Sequence, residues 1–368
     1  MRADVQIAVD RLFSTSPIRF FGLHEEHRYE TLTYASLSKD GQYATLIAAG
    51  QFVDLDVGEA EPVKCLDNGL WLCREDDLNY AVVCSSHREY GHETGVRVES
   101  VTPAGEDGAA LTTRAFKALE DAIGAARSYR GKVLSFDAEV DYRGRSSGIV
   151  VHRLPEASRD QVILPEATLK LLDRNLIRFV ESRERLRALG QSTRKGVLLH
   201  GPPGTGKTHT IRYLAGSLPD HTTLIITAGQ IGLLARYMSL ARLPQPTMVV
   251  IEDVDLIARN REDMGGPCEE SMLNARLNEM DGLKDDADII FVLTTNRPEP
   301  LEGALAGRPG RIDQAIEAPL PDDVGRAKLV RLYGRGLVLS LAVVAEAVAR
   351  TQGGARRSRA SCGAAGRP

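Results

Sequence analysis

The chain has 368 residues, of which 43% are hydrophobic and 26% charged, and a formal net charge of −4. That length fits two or three globular domains, and the near-balanced charge provides no global basic field to draw nucleic acid. Residues 1–22 carry Asp4, Asp10 and early arginines in place of an unbroken apolar run, which argues against a signal peptide; the apolar run 337–349 holds Glu346 and is too short to cross a bilayer.

The five cysteines form no C-x-x-C pair and read as free thiols in a reducing cytoplasm. His24, His27, His87 and His92 lack Cys or carboxylate partners at ligand spacing and read as surface histidines.

Taken in order, residues 1–22 predict a short amphipathic helix with Val5, Val9 and Leu12 on one face. Short β-friendly runs follow at 31–37, 43–49, 78–84, 95–101, 132–136 and 149–152. A helical pattern at 112–129 interrupts them, with Phe116, Leu119, Ala122 and Ile123 in phase. Residues 1–155 therefore read as an α+β N-terminal domain without a catalytic constellation, expected to recognise a partner or substrate. Residues 156–195 read as a linker and a lead-in helix, with Pro165 near its first position and Leu169, Leu172, Leu176, Phe179 and Val180 as its apolar stripe. From 196 to 318 strands and helices alternate, and continuous apolar strands of this kind argue for a parallel sheet covered on both faces.

The sharpest signal is Gly201-Pro202-Pro203-Gly204-Thr205-Gly206-Lys207-Thr208, after a short apolar run and at the start of a helical segment from Thr208 to about Leu218, with His209 the last candidate nucleotide-binding residue. It is G-x-x-x-x-G-K-[ST] in its required setting of strand, loop and helix start. Glycines let backbone N–H groups turn inward around phosphate oxygens, and the helix dipole adds to the anion site. Lys207 can reach β- and γ-phosphates, and the Thr208 hydroxyl can ligate Mg²⁺.

A second signal is the apolar run 247–251 ending in Glu252-Asp253-Val254-Asp255. Carboxylates at the tip of a parallel strand stand where open α/β sheets bind ligands: one can hold Mg²⁺ through water, and the next can orient or deprotonate water. The strand at 288–295 ends beside Asn296, a candidate hydrogen-bonding partner for the γ-phosphate and the attacking water. Arg308 and Arg311 flank a tight turn, from which a guanidinium could stabilise charge on a transferred phosphoryl group.

These stretches, with LNEMDGL and the lead-in ILPEATLKLLDRNLIRFV, resemble the AAA ATPase module with a second region of homology over residues 162–333. The resemblance implies a five-stranded parallel P-loop sheet in the order 5-1-4-3-2, and a ring, usually hexameric, with ATP between subunits. It matches Lys207 and Thr208 to Walker A, Glu252 and Asp253 to Walker B, and Asn296 to sensor 1. Arg308 and Arg311 match arginines that act in trans, which suits a heterologous ring better than an isologous dimer.

Three features depart from the family pattern. The Walker B acids run Glu-Asp, as in the subgroup that resembles mitochondrial respiratory-complex assembly chaperones, so Glu252 would face the metal and Asp253 the water. Residues 227–246 are too short for the usual pore loop, and Leu233, Leu234, Tyr237, Leu240 and Ala241 recur at the spacing of a packed helix. Residues 319–352 would supply a partial helical lid, and the Gly/Ala/Ser/Arg-rich tail 353–368 cannot bury a core.

The expectation is thus a cytoplasmic, Mg²⁺-dependent ATPase that forms a homo-oligomeric, hexameric ring and remodels a protein partner held by its N-terminal domain, away from membranes. A nucleotide-gated scaffold is the alternative; a nucleic-acid motor lacks a basic stripe interleaved with aromatics.

Overall fold

The computed structural model describes residues 2–13, 17–24, 31–38, 45–89, 92–125, 127–137, 148–155, 157–256, 287–298 and 312–351. Arg308, Arg311, His27, the LNEMDGL stretch and the tail 353–368 lie outside them. The chain divides into two compact units, residues 1–129 with 139–151, and residues 130–138 with 152–368.

In the first unit, β1 (Pro17–His24), β2 (Leu46–Ala48), β5 (Asn68–Glu75), β6 (Leu78–Glu89) and β7 (His92–Val101) form an antiparallel sheet in the order β2-β1-β5-β6-β7. The short strands β3 (Phe52–Leu55) and β4 (Val63–Leu66) pair as a separate hairpin. Helices α1 (Arg2–Phe13) and α3 (Glu106–Ala125) bury Ala8, Val9, Phe13 and Leu119 against Trp71, Cys73, Val82 and Cys84. Helix α3 starts six residues earlier than its apolar period suggests, since Glu106 and Asp107 favour its positive N-terminal end.

The strand expected at 31–37 is a correction: Tyr34–Leu37 form a single helical turn, α2. Thr33 accepts the Ser36 N–H through its hydroxyl, and the Ser36 hydroxyl accepts the Thr33 N–H, a reciprocal cap that overrides β propensity. His87, expected on the surface, is half-buried with Nδ1 3.0 Å from the Thr31 hydroxyl. Among the described residues, Cys65, Cys73 and Cys84 are buried and outside any disulfide.

A seven-stranded sheet runs in the order β14-β10-β13-β12-β11-β8-β9, and the second unit is built on its strands β14 to β8. The sheet's members are β8 (Val133–Phe136), β9 (Ile149–His152), β10 (Lys195–His200), β11 (Thr222–Ile226), β12 (Thr247–Ile251), β13 (Ile289–Thr295) and β14 (Gln314–Glu317). The pairings from β14 to β8 are parallel, and every residue of β12 and β13 is buried. Five of the strands, β14-β10-β13-β12-β11, run in the expected order 5-1-4-3-2, and the correction concerns the number of strands. The strand at 132–136 forms, but it pairs with β11, with Thr223 opposite Val133 and the Thr223 N–H donating to Lys132 O. Its β-friendly residues mark it as a strand without saying which sheet it joins.

The lead-in helix runs through α4 (Glu166–Leu172), a wide π turn (Asp173–Ile177) and α5 (Arg178–Glu181), and Pro165 sits at its N-cap rather than inside it. Leu169, Leu172 and Leu176 join Val197, Leu199, Ile211, Leu214, Val250 and Val292 in the main core. After the short α6 (Arg183–Ala188), helix α7 (Lys207–Ser217) follows β10 directly, and α8 (Leu234–Ala241) follows a 3₁₀ turn at Ala228–Leu233. Helices α9 (Asp323–Tyr333) and α10 (Leu341–Arg350) pack on each other through Val330, Val344 and Ala347. Among the described residues, no helix is long and apolar enough to cross a membrane.

Candidate nucleotide site

Strand β10 ends at His200, and the chain must turn at once into α7. Gly201 makes the turn with φ 149°, its N–H bonded to Thr295 O; a Cβ there would lie 2.2 Å from Ala318 O. Gly206 caps α7 in the left-handed region at φ 95°, a conformation costly for residues with a Cβ. The apolar strand fixes where the loop begins, and the glycines let its backbone fold inward.

Lys207 is 7% exposed. Its Nζ donates to Gly201 O at 2.6 Å, Pro202 O at 3.1 Å and Asn296 Oδ1 at 2.8 Å. Burial pulls its pKa below the usual lysine value, and the charges of Asp253 and Asp255 act against that. The Thr205 hydroxyl donates to Pro202 O at 3.0 Å and helps close the loop. Pro202, Pro203, Gly204 and Thr208 face solvent.

The tip of β12 lies two strands from β10, beyond β13. Glu252 lies near enough to the Thr208 side chain for the hydroxyl to act on its carboxyl. Burial raises the Glu252 pKa, Asp253 adds to the rise, and Thr208 and Arg212 oppose it. The next acid turns the other way. Asp253 adopts φ 50° and gives its N–H to Thr294 Oγ1 at 3.0 Å, while its Oδ1 accepts from Asn296 Nδ2 at 3.2 Å. Positive φ in a non-glycine residue costs energy and persists where the surroundings hold it. One acid therefore points to Thr208 and the other to Asn296.

His209, one residue past Thr208, is half-buried, and its Nε2 is buried without a hydrogen-bond partner. Its pKa is lowered by burial first and by Arg212 second, with a hydrogen bond to the Gln161 backbone opposing. It lines a cavity of about 420 Å³ with Gln161, Ile163, Thr205, Leu329 and Tyr333, so that the cavity runs from the phosphate loop to the lead-in segment and α9. That volume is in the range of a small-molecule site.

The structure thus brings together the 201–208 loop, His209, Glu252, Asp253 and Asn296. Several contributors were missed in the sequence. Asp255, Thr294 and Thr295 lace the two strand tips together, and residues 161–164 wall the cavity. The third acid of Glu252-Asp253-Val254-Asp255 was the available signal for Asp255; the cavity wall carries none. Among the described residues, no group of three or more His, Cys, Asp or Glu side chains is set to hold a metal ion. Thr208 and Glu252 are hard oxygen donors placed side by side, which suits Mg²⁺ with most of its waters retained.

Comparison with known proteins agrees with this geometry. Residues 197–320 match the family described as ATPase family associated with various cellular activities (AAA). The chain is 35% identical over 199 residues to the ATP-dependent zinc metalloprotease FtsH of Synechococcus sp. (strain JA-2-3B'a(2-13)), covering 51% of this chain and 31% of that protein. It is 37% identical over 215 residues to FtsH 1 of Symbiobacterium thermophilum, covering 54% and 36%. For FtsH 3 of Sphaerobacter thermophilus the identity is 35% over 223 residues, covering 57% and 45%. The chain therefore spans less than half the length of these relatives.

Proposed function

We propose that the AAA ATPase domain carried by this chain binds ATP at the 201–208 loop and hydrolyses it, in a ring of identical subunits. The observation that carries this reading is the bonded series Lys207–Asn296–Asp253 beside a glycine loop that opens on a cavity. The family match over 197–320 and the ATP-dependent relatives support it.

In this reading the loop amides and the N-terminus of α7 hold the phosphates, and the cavity beside His209 takes the base. Lys207 exchanges its two loop carbonyls for phosphate oxygens. Thr208 and Glu252 would hold Mg²⁺, which when bound neutralises charge on the β- and γ-phosphates. Asp253 orients a water and accepts its proton, and Asn296 fixes Asp253 and contacts the γ-phosphate. Arg308 and Arg311 complete the site from the neighbouring subunit, as their resemblance to trans-acting arginines implies. Helices α9 and α10 act as a small lid, consistent with Leu329 and Tyr333 at the cavity wall.

Residues 1–155 recruit the protein partner that the cycle remodels, and the buried thiols suit a reducing, cytoplasmic setting. One observation favours a second reading, a nucleotide-gated scaffold with slow turnover. Asp253 is the shorter acid, and Asn296 already engages it. Steady-state ATP hydrolysis by the full chain with Mg²⁺, followed against protein concentration, separates them. Turnover per chain that climbs with concentration is expected of a shared site. Absence of turnover at every concentration, with ATP still changing the assembly state, supports the scaffold and overturns the enzyme.

A further inference from the structure

Asp255 lies two residues beyond Asp253. Its Oδ1 accepts two hydrogen bonds from the tip of β13: the Thr295 hydroxyl at 2.9 Å and the Asn296 N–H at 3.0 Å. The Thr295 hydroxyl oxygen in turn accepts the Arg297 N–H at 3.0 Å. Arg297 O is also 2.9 Å from that hydroxyl, but a carboxylate is the stronger acceptor for its single proton. One carboxylate oxygen therefore takes two of the bonds that hold the Thr295–Asn296–Arg297 turn.

The consequence falls on the Asn296 side chain. Lys207 can only donate and the Asp253 carboxylate only accept, so the amide has one workable orientation, with oxygen toward Lys207 and nitrogen toward Asp253. That orientation is useful only if the Asn296 backbone stays in place, and its N–H is bound to Asp255. The tips of β12 and β13 are tied a second time, by the Asp253 and Val254 N–H groups on Thr294. This second tie holds Asp253, whereas the Thr295–Asn296 peptide is held by Asp255 at its N–H and by the Gly201 N–H at its carbonyl.

We infer that Asp255 is a positioning residue for ATP hydrolysis, fixing Asn296 between Lys207 and Asp253 without itself touching the nucleotide. The inference rests on the ATPase reading above. Because both bonds go to one oxygen, the role needs an acceptor in place rather than a negative charge, and an asparagine carbonyl can fill it.

The test compares the full-length parent with D255A, D255N, N296A and the D255A/N296A double variant. The readouts are kcat, KM for ATP, binding of a fluorescent ATP analogue, and Tm. D255A is expected to lower kcat about 10- to 100-fold while KM and nucleotide binding stay within about threefold, the signature of misplacement rather than lost affinity. D255N is expected to stay within about threefold of the parent, and the double variant to be no slower than N296A alone. A purely structural role would lower Tm and binding together and would add fully to N296A. The inference is overturned by parental kcat in D255A, by D255N as slow as D255A, or by full additivity. If D255A fails to fold, Thr295→Val removes one of the two bonds at near-constant volume and must show the same non-additivity with N296A. A parent without turnover sinks the ATPase reading and this inference together; a parent with turnover and an indifferent Asp255 sinks only the inference.

Discussion

His221 shows how one buried side chain sets a pH limit on the second unit. It precedes β11, is 5% exposed, and its Nε2 lies 3.0 Å from Arg183 Nη1. Arginine can only donate, so this imidazole nitrogen must be unprotonated. Burial and then Arg183 push the pKa down from 6.5 to about 4, and Asp288 and Asp220 only partly offset them. A histidine with a depressed folded pKa takes up its proton more readily when unfolded. Its contribution is complete above about pH 6.5 and is lost as pH falls toward 4, by roughly 3 kcal/mol at the limit. Melting of the parent across that window should show a steep fall, and His221→Gln, which keeps an acceptor without titrating, should flatten it. Equal slopes in the two proteins would contradict the assignment. Nothing in the sequence around His221 signals this role, because its partners Arg183 and Asp288 are distant in the chain and meet it only through the sheet.

At the scale of elements, spacing carried far and pairing did not. The phosphate loop was legible because its chemistry lies in eight consecutive residues with a strand before and a helix after. The packed face of α8 was legible too, since Leu233, Leu234, Tyr237, Leu240 and Ala241 share one side by helical period and all are buried. What that face packs against was not. Tyr237 is fully buried, its hydroxyl accepts the Phe136 N–H at 2.8 Å, and its ring meets Phe136 edge-on at 4.5 Å. Gln230 completes the joint by donating to Phe136 O at 2.7 Å. Strand β8 is thereby tied to the turn before α8 and to α8 itself. Tyr237→Phe leaves the buried Phe136 N–H without its acceptor, which should cost about 1–3 kcal/mol. Urea unfolding should show a lower midpoint at unchanged slope, with ATP turnover per folded chain unaltered; a parental midpoint would refute the joint. The turn at Tyr34–Leu37 was misread for a related reason, since β propensity was weighed there without the Thr33–Ser36 cap.

At the scale of the molecule, the site is assembled from strand tips far apart in sequence. Glycine spacing, a carboxylate pair after an apolar strand and an asparagine after another were each visible as local signals. Their meeting at Lys207, and the part played by Asp255, depend on β13 lying between β10 and β12, an order that the family resemblance implied and no local pattern encodes. The account stands on the division of labour between the two acids, with Glu252 beside Thr208 and Asp253 beside Asn296. The most direct test is Asp253→Asn in the full chain, with ATP binding and single-turnover hydrolysis measured on the same preparation. Removing the water-orienting base while leaving the loop, Lys207 and Glu252 in place should keep ATP affinity within about threefold and slow hydrolysis by about 100-fold or more. Hydrolysis at the parental rate, or loss of binding in step with loss of turnover, would contradict it.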